Sequence, residues 1–258
     1  MTPKHQREIF DALDFERQTI LYPGVTRFSD KGVLRDVAAD GKSAEIVYTS
    51  CAADEIAQVI DQQIQIARNS AYELEWKVYG HDQPPGLEEH LAAAGFEAGA
   101  KEAFLIFQAA PESLERFSPC QSEIRRVTTR DGLNDYQTIV EEVRGKGCQQ
   151  AIEQYVFLLE NHPKNISVYV AYADGEPAAC GRVYFHKDSR FAALYGGSTR
   201  ERFRKRGLFT EIVAVRLREA FHRGIEMICV DALPTSEPIL RKRGFERVTD
   251  TQPWLWKG

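Results

Sequence analysis

One segment of the sequence constrains the fold more than any other, because it predicts a strand, a basic glycine loop and a helix in direct succession. Residues 191–199 are a short apolar run that ends in turn residues, as expected of a buried strand. The loop that follows contains Arg204-Lys205-Arg206-Gly207-Leu208-Phe209. Apolar residues then recur at helical spacing until Gly224, a typical helix stop.

A helix start of this kind favours anions. The first four N–H groups of a helix have no intrahelical partner, and the aligned peptide dipoles place about half a positive charge there. Gly207 has no Cβ to hold a phosphate away from the backbone. We interpret the loop as a phosphate cradle surrounded by five cations, namely Arg200, Arg202, Arg204, Lys205 and Arg206.

Other interpretations of the loop fit less well. A Walker-type loop needs a second glycine followed by Lys and Ser or Thr, and a dinucleotide fingerprint needs three glycines, and neither pattern is present. A solvated basic turn is the second choice. A nucleic-acid contact is the third, because the chain has 38 acidic and 33 basic residues, whereas nucleic-acid binders are more often basic overall. We therefore expect no nucleic-acid partner.

The pattern Arg-x-x-Gly-x-[Gly/Ala] between a strand and a helix is the coenzyme A signature of the GNAT superfamily of N-acetyltransferases, and Arg204 to Phe209 resemble it. Phe209 stands where the family usually has Gly or Ala, so either the loop is wider or the ring turns outward. Downstream, a strand-like run at 225–231, a helical segment at 234–243 and Gly244-Phe245 also follow the family order. The resemblance covers about residues 122–258.

The resemblance implies acyl transfer from acetyl-CoA, by direct attack of a primary amine on the thioester. It implies a coenzyme A thioester and an amine acceptor as partners, the acceptor being a small molecule or a protein or peptide. A non-catalytic acyl-CoA sensor is the alternative. The helices expected within 130–160 would form the acceptor site, and they carry acidic residues that suit an amine, namely Asp135, Glu141, Glu142, Glu153 and Glu160.

Site residues follow from the same resemblance. Backbone N–H groups at the end of the first strand would bind the acyl carbonyl or the pantetheine amides, which indicates Gly197, Ser198 and Thr199. The coenzyme-binding loop would comprise Arg204, Lys205, Arg206, Gly207, Leu208, Phe209 and Thr210.

The catalytic acid and base are less defined. Family members often have a tyrosine four residues before the Gly-Phe turn as the acid, and this chain has Leu240 there. The replacement candidates are Tyr195, Asp231, Ser236 and Glu237. Each also has an ordinary role open to it: Tyr195 as a packing aromatic, Asp231 as a turn cap and Ser236 as a helix N-cap.

The first half of the chain repeats part of this pattern. A strand at 73–79, a helix at 85–94, Gly95-Phe96 and an apolar run at 104–107 match the order seen in the second half. The closing strands keep register, because Leu105 and Trp254 each lie nine residues after the Phe of the turn. An unrelated α+β domain is the alternative to a true repeat.

The first copy has no counterpart of the basic loop. The equivalent residues, 49–55, contain neither glycine nor arginine. Thr49 or Ser50 is expected to cap the next helix, and Asp54 and Glu55 would repel an anion. We therefore expect a degenerate GNAT-like domain at 1–118 that does not bind coenzyme A, and an acetyltransferase domain at 122–258.

The predicted fold class is α/β (α+β): two tandem GNAT-like domains, each a mixed, mainly antiparallel twisted sheet flanked by helices, with a splayed parallel strand pair in the C-terminal copy. The sequence has no apolar run of about 18 residues and no signal-peptide core, so we expect a cytoplasmic protein without a membrane partner. Five scattered cysteines form no CxxC pair, and no cluster has metal-ligand spacing, so we expect no metal. A homodimer is left open.

Overall fold

The computed structural model describes residues 2–117, 119–145 and 147–258. The chain folds into two compact units. Unit 1 runs up to Phe104 and adds Ala232–Glu237 and Arg247–Gly258, whereas unit 2 comprises Leu105–Asp231 and Pro238–Glu246.

Unit 1 is a mixed sheet with helices. Its strands are β1 (Val25–Asp30), β2 (Val33–Ala38), β3 (Ser43–Thr49), β4 (Glu73–Tyr79), β5 (Glu97–Ala98) and, from Arg247 onward, β12 (Glu246–Trp256). Its helices are α1 (Pro3–Thr19), α2 (Ile56–Ser70) and α3 (Leu87–Ala93). The strand order is β1-β2-β3-β4-β12, with β5 on β12; the β3–β4 pair is parallel, and the pairs β1–β2, β2–β3, β4–β12 and β5–β12 are antiparallel.

The core of unit 1 lies between its sheet and the apolar face of α2. Ile56, Ile60 and Ala67 recur at helical spacing and are buried, as are Ile46 of β3 and Trp76 of β4. The period of the apolar residues therefore accounts for which face of α2 is packed.

Unit 2 has its own mixed sheet. Its strands are β6 (Glu102–Gln108, from Leu105 onward), β7 (Glu123–Val127), β8 (Ile166–Ala173), β9 (Glu176–Tyr184), β10 (Phe191–Thr199) and β11 (Met227–Ala232). Its helices are α4 (Pro111–Leu114), α5 (Arg130–Arg144), α6 (Gln149–Asn161), α7 (Leu208–His222) and, from Pro238 onward, α8 (Glu237–Lys242). The strand order is β6-β11-β10-β9-β8-β7, and the β10–β11 pair is parallel.

The closing strands of the two sequence halves are exchanged between the units. The C-terminal strand β12 pairs with β4, from Thr251↔Tyr79 to Trp256↔Leu74, so its apolar residues complete unit 1. In return, the larger part of β6 lies beside β11 in unit 2. The units therefore differ from the contiguous ranges 1–118 and 122–258 that the sequence suggested, because that division assumed that each half keeps its own last strand.

Most predicted elements of the second half are confirmed. β10 coincides with the predicted 191–199 run, and α5, α6 and α7 occupy the expected segments. Asp174 and Gly175 have φ of +54° and +79°, the left-handed pair that a tight hairpin between β8 and β9 needs. The short helix α4 lies between β6 and β7. In the first half, α1, β1 and β2 were not predicted.

The predicted cap of α2 is wrong. The helix starts at Ile56, its N-cap position is Glu55, and no side chain caps it. Thr49 instead accepts a hydrogen bond from Trp76 Nε1, at 2.9 Å between buried groups. The register of β3 with β4 ends at Ile46↔Trp76, so the indole crosses to Thr49 beyond the last paired residues.

Candidate functional site

The two parallel strands of unit 2, β10 and β11, are paired along only the first part of their length. Their register covers only Phe191↔Met227, Ala192↔Ile228 and Ala193↔Cys229, although β10 continues to Thr199 and β11 to Ala232. On its other side, β10 has a bulge between Tyr195 and Ser198, where Gly196 has φ of +62°. The backbone groups of the second half of β10 that face β11 are therefore available to a ligand, as the predicted splayed pair requires.

Tyr195 and Asp231 occupy equivalent positions on these diverging strands. Each lies two residues beyond the last registered pair, Ala193 and Cys229, and so both project from one face of the sheet. The Tyr195 side chain is 44% exposed, and Asp231 is half-buried. The structure thus places two of the predicted catalytic residues on either side of the gap.

The end of β10 carries two polar side chains without partners. Ser198 Oγ and Thr199 Oγ1 are buried and make no hydrogen bond to any residue that the structure describes. Buried hydroxyl groups without partners are rare and call for a ligand or a water. The pantetheine site at Gly197, Ser198 and Thr199, which was predicted for their backbone N–H groups, stays a prediction.

The basic loop has the backbone of an anion site. Gly207 is the N-cap of α7 with φ of +85°, a conformation that favours glycine, and no side chain caps the helix. A Cβ added at Gly207 would meet nothing within 4 Å, so the space before the helix is open. Lys205 also has positive φ, at +63°. The N–H groups of Leu208, Phe209 and Thr210, in the first turn of the helix, are thus open to an anion at the loop.

Three of the five cations around the loop are already paired, contrary to the prediction that all five attract an anion. Arg200 is buried and bonds to Glu142, at 2.6 Å, and to Glu176. Arg202 also bonds to Glu176, and Arg206 makes two hydrogen bonds to Asp174. In the part of the chain that the structure describes, Arg204 and Lys205 have no carboxylate partner.

Phe209 turns toward β10 rather than outward. A Cβ added at Gly197 would lie 3.0 Å from Phe209 Cε2, so the ring packs against the glycine backbone. A side chain at position 197 would therefore force the Phe209 ring to move. The departure from the family pattern is accommodated by this contact and not by an outward ring.

The segment around α8 contains the position of the usual family tyrosine and the candidate Ser236. Leu240, in place of the usual tyrosine, is buried at 3% exposure and offers no proton. Ser236 Oγ donates to Leu233 O at 3.1 Å, a contact within the turn before α8 and not the predicted N-cap, in which the hydroxyl would accept from a helix N–H. A catalytic role of Ser236 stays a prediction.

Four acidic residues of α5 and α6 have hydrogen-bond partners, namely Asp135, Glu141, Glu142 and Glu153, and their expected role in receiving an amine stays a prediction. Asp135 accepts from Tyr172, Glu142 from Arg200, and Glu153 from Arg130. A cavity of about 290 Å³ does lie at these helices, but its polar lining is Tyr136, Arg144, Cys148, Tyr155 and Arg182. The lining includes two arginines and no carboxylate among the described residues.

Sequence reasoning also missed Arg216, which holds α7 against the sheet. It is 2% exposed, and its Nη1 donates to Arg182 O at 2.9 Å and Tyr195 O at 3.3 Å. Burial lowers the pKa of Arg216 to about 10. A Cβ at Gly181 would lie 2.8 Å from Arg216 Cζ, so that glycine makes room for it. A lone arginine in an otherwise apolar helical face was the available signal.

Among its described residues, unit 1 has one cluster of residue types that can bind a metal. Ligand atoms of Asp14, His81 and Asp82 lie within 4.8 Å of one another. The Arg17 guanidinium stands among them, 2.6 Å from Asp82 and 3.0 Å from Asp14, and so already supplies the positive charge. Burial by itself would raise the pKa of Asp14. The hydrogen bonds and charges of His81 and Arg17 outweigh burial, so the pKa of Asp14 is lowered overall. This cluster is an ion-pair network.

Comparison with known proteins gives the same family that the loop suggested. Residues 130–245 match the model of the acetyltransferase (GNAT) family. These residues belong to the GNAT family. They include β8 to β11, the basic loop, α7 and α8.

Solved structures are similar to this chain over nearly its whole length. A GCN5-related N-acetyltransferase from Kribbella flavida has a TM-score of 0.71 at 14% identity, over 99% of this chain and 95% of that one. A tandem GNAT protein from the clavulanic acid biosynthesis pathway has a TM-score of 0.59 at 14% identity, over 98% and 94%. A functionally unknown conserved protein from Staphylococcus epidermidis has a TM-score of 0.68 at 16% identity, over 91% and 95%.

At these identities the likeness concerns the fold, and it confirms the tandem GNAT-like architecture. A comparison with curated proteins found no match. Among the helices of the described residues, none combines the length and the apolar character needed to cross a membrane.

Proposed function

We propose that unit 2 is an N-acyltransferase that moves an acyl group, acetyl in the first instance, from a coenzyme A thioester to a primary amine. The single observation that carries the proposal is the gap where β10 and β11 diverge, directly before a helix that starts at Gly207 with φ of +85°. The gap between the strands can receive a thioester, and the start of the helix can bind phosphates.

The residues present fit coenzyme A. Backbone N–H groups at Gly197, Ser198 and Thr199, on the part of β10 beyond its register with β11, would bond the pantetheine amides. The free N–H groups at the start of α7 would bind the phosphates, and Arg204 and Lys205 are exposed cations beside them. Coenzyme A supplies the activated acyl group, and the residues of this chain hold that group in position.

The transfer needs one proton removed and one delivered. The amine nitrogen bonds to the carbonyl carbon, the carbon–sulfur bond breaks, and coenzyme A leaves with the electron pair. Asp231 would accept the proton that the amine loses, and Tyr195 would protonate the leaving thiolate. A backbone N–H near Gly197 would donate to the carbonyl oxygen as its charge develops.

A second candidate function is an acyl-CoA sensor without catalysis. The observation that favours it is Leu240, which is buried where the family usually has its acid. For unit 1 we propose no coenzyme binding at all. There the space beyond the β3–β4 register is crossed by the Trp76–Thr49 hydrogen bond, and 49–55 contains no glycine.

Thiol release from acetyl-CoA over a panel of primary amines separates the two candidates. A transferase gives amine-dependent release with a stoichiometric N-acetylated product, seen by mass spectrometry, and both are lost in the Tyr195→Phe/Asp231→Asn double variant. A sensor binds acetyl-CoA and releases thiol at the same rate with and without amine.

A further inference from the structure

The cavity at α5 and α6 is lined by Arg182, a cation that has no carboxylate partner among the described residues. We propose that this cavity binds the carboxylate of a small amine, such as an amino acid, through Arg182. That the bound molecule is the acyl acceptor rests on the proposed function, whereas carboxylate binding does not.

Arg182 lies on β9, and its guanidinium is surrounded by tyrosines. Its Nη1 donates to Tyr136 OH at 2.7 Å, its Nε lies 3.3 Å from Tyr184 OH, and its Cζ is 4.6 Å from the Tyr155 ring centre. Among the described residues, no carboxylate lies within ion-pair distance and no acceptor takes a hydrogen bond from Nη2. A guanidinium has five N–H donors, so several are unused.

An arginine held in this way is suited to a ligand. Removing a cation from water is costly unless it is paired, and the face of Tyr155 offsets only part of that cost. A carboxylate offers two parallel acceptors to the planar fork of the guanidinium. Burial raises the pKa of Tyr136 to about 12, so its neutral hydroxyl does not repel an anion at neutral pH.

The backbone of β10 is shaped around the same group. A Cβ added at Gly196 would lie 2.7 Å from Tyr136 OH and would collide with Arg182 Nη1. The bulge with its left-handed glycine therefore admits the Arg182–Tyr136 pair against the strand that carries Gly197. The register pair Tyr195↔Arg182 places the cation opposite the proposed proton donor.

The cavity also limits the ligand to a small molecule or a chain end. Its volume of about 290 Å³ is at the lower end for small-ligand sites. Val140, Ile152 and the Tyr155 ring give it apolar walls. Glu141 contacts Cys148 of the lining, at 3.7 Å between Oε1 and Sγ, and is the acidic group beside the cavity. A carboxylate with a modest apolar body and an amine meets these conditions.

Binding is tested without catalysis by fluorine NMR, with 4-fluorophenylacetate and its carboxamide as probes. We expect the carboxylate to bind and the carboxamide to bind at least about tenfold more weakly, since a charge-assisted pair is lost. Arg182→Gln should remove that difference, and Arg182→Lys, which keeps the charge but not the fork, should reduce it. The matched control is Arg125→Gln, because Arg125 also lies over a tyrosine, Tyr172, but is exposed and paired with Glu123.

The turnover assay then distinguishes failure of this inference from failure of the proposed function. Each of the twenty amino acids is compared with its carboxamide as acceptor, in the wild type and in Arg182→Gln. Arg182-dependent binding of the carboxylate without any turnover would support the carboxylate site and refute the proposed transferase activity. Turnover that is equal for acids and carboxamides, or equal binding of the two probes, would overturn the carboxylate site.

Discussion

Arg206 holds Asp174 by two hydrogen bonds, from Nη1 to Oδ2 at 2.6 Å and from Nη2 to Oδ1 at 3.0 Å. Asp174 is at the turn of the β8–β9 hairpin, and Arg206 is in the basic loop. The hydrogen bond from Arg206 lowers the pKa of Asp174, so the carboxylate stays charged at neutral pH. A phosphate bound at the loop must therefore compete with this carboxylate for Arg206.

Removal of the competing charge should strengthen coenzyme binding. We expect Asp174→Asn to raise acetyl-CoA affinity by at most about fivefold at low salt, because both groups are exposed and screened. Asn also tolerates the positive φ at this position. Calorimetry at two salt concentrations measures the effect, with Asp188→Asn as a control of equal charge. An unchanged affinity would show that Arg206 does not contact the phosphates.

The two residues across the gap should affect catalysis more than binding. We expect Tyr195→Phe and Asp231→Asn each to lower kcat by about 10²- to 10⁴-fold, as for the loss of a general acid or base. Acetyl-CoA affinity should stay within about twofold of the wild type, because neither residue contacts the phosphates in this account. Steady-state kinetics beside calorimetry separates the two quantities. A loss of affinity at constant kcat would refute the assigned roles.

The contact between Gly197 and Phe209 predicts a specific non-additivity. Gly197→Ala would place a methyl group 3.0 Å from Phe209 Cε2, so the ring must move and acetyl-CoA affinity should fall. Phe209→Ala removes the obstacle, and we expect the double variant to bind more tightly than Gly197→Ala alone. A double-mutant cycle measures the coupling. Strictly additive effects would mean that the ring does not pack on the strand in solution.

Much of the fold could be predicted from the sequence because its signals are local. The apolar run 191–199 is bounded by turn residues, and the strand at 73–79 alternates, so both were predicted to the residue. The Asp174-Gly175 turn needed no distant information. The exchange of β6 and β12 could not be predicted, because both strands have similar spacing after Gly-Phe and local pattern does not choose a partner.

The site was predicted in part for the same reason. The glycine at position 207 indicates a positive φ from the local sequence alone, so the loop could be predicted. The partners of Arg200 and Arg206 lie on the β8–β9 hairpin and α5, far away in sequence, so all five cations looked free. Arg182 stands alone in a strand, and only the fold brings Tyr136 and Tyr155 around it.

Buried tyrosine makes stability fall at alkaline pH. Burial raises the pKa of Tyr136 to about 12, above the value of about 10 in an unfolded chain. Its contribution is therefore fully present below about pH 10 and is lost as pH rises toward 12. Two pKa units correspond to about 3 kcal/mol at most. Urea unfolding from pH 8 to 11 should show a shallower decline in Tyr136→Phe, and an equal decline would contradict the burial of the hydroxyl.

The most direct test of the central claim is calorimetric titration of acetyl-CoA into the wild type and two matched variants. Gly207 and Gly224 lie just before and just after the helical residues of α7, with φ of +85° and +79°, and a Cβ at either meets nothing within 4 Å. The same backbone strain and the same charge are thus introduced by Gly207→Asp and Gly224→Asp. The account predicts binding that is abolished in Gly207→Asp and kept in Gly224→Asp. Equal binding by both variants, or none by the wild type, would contradict it.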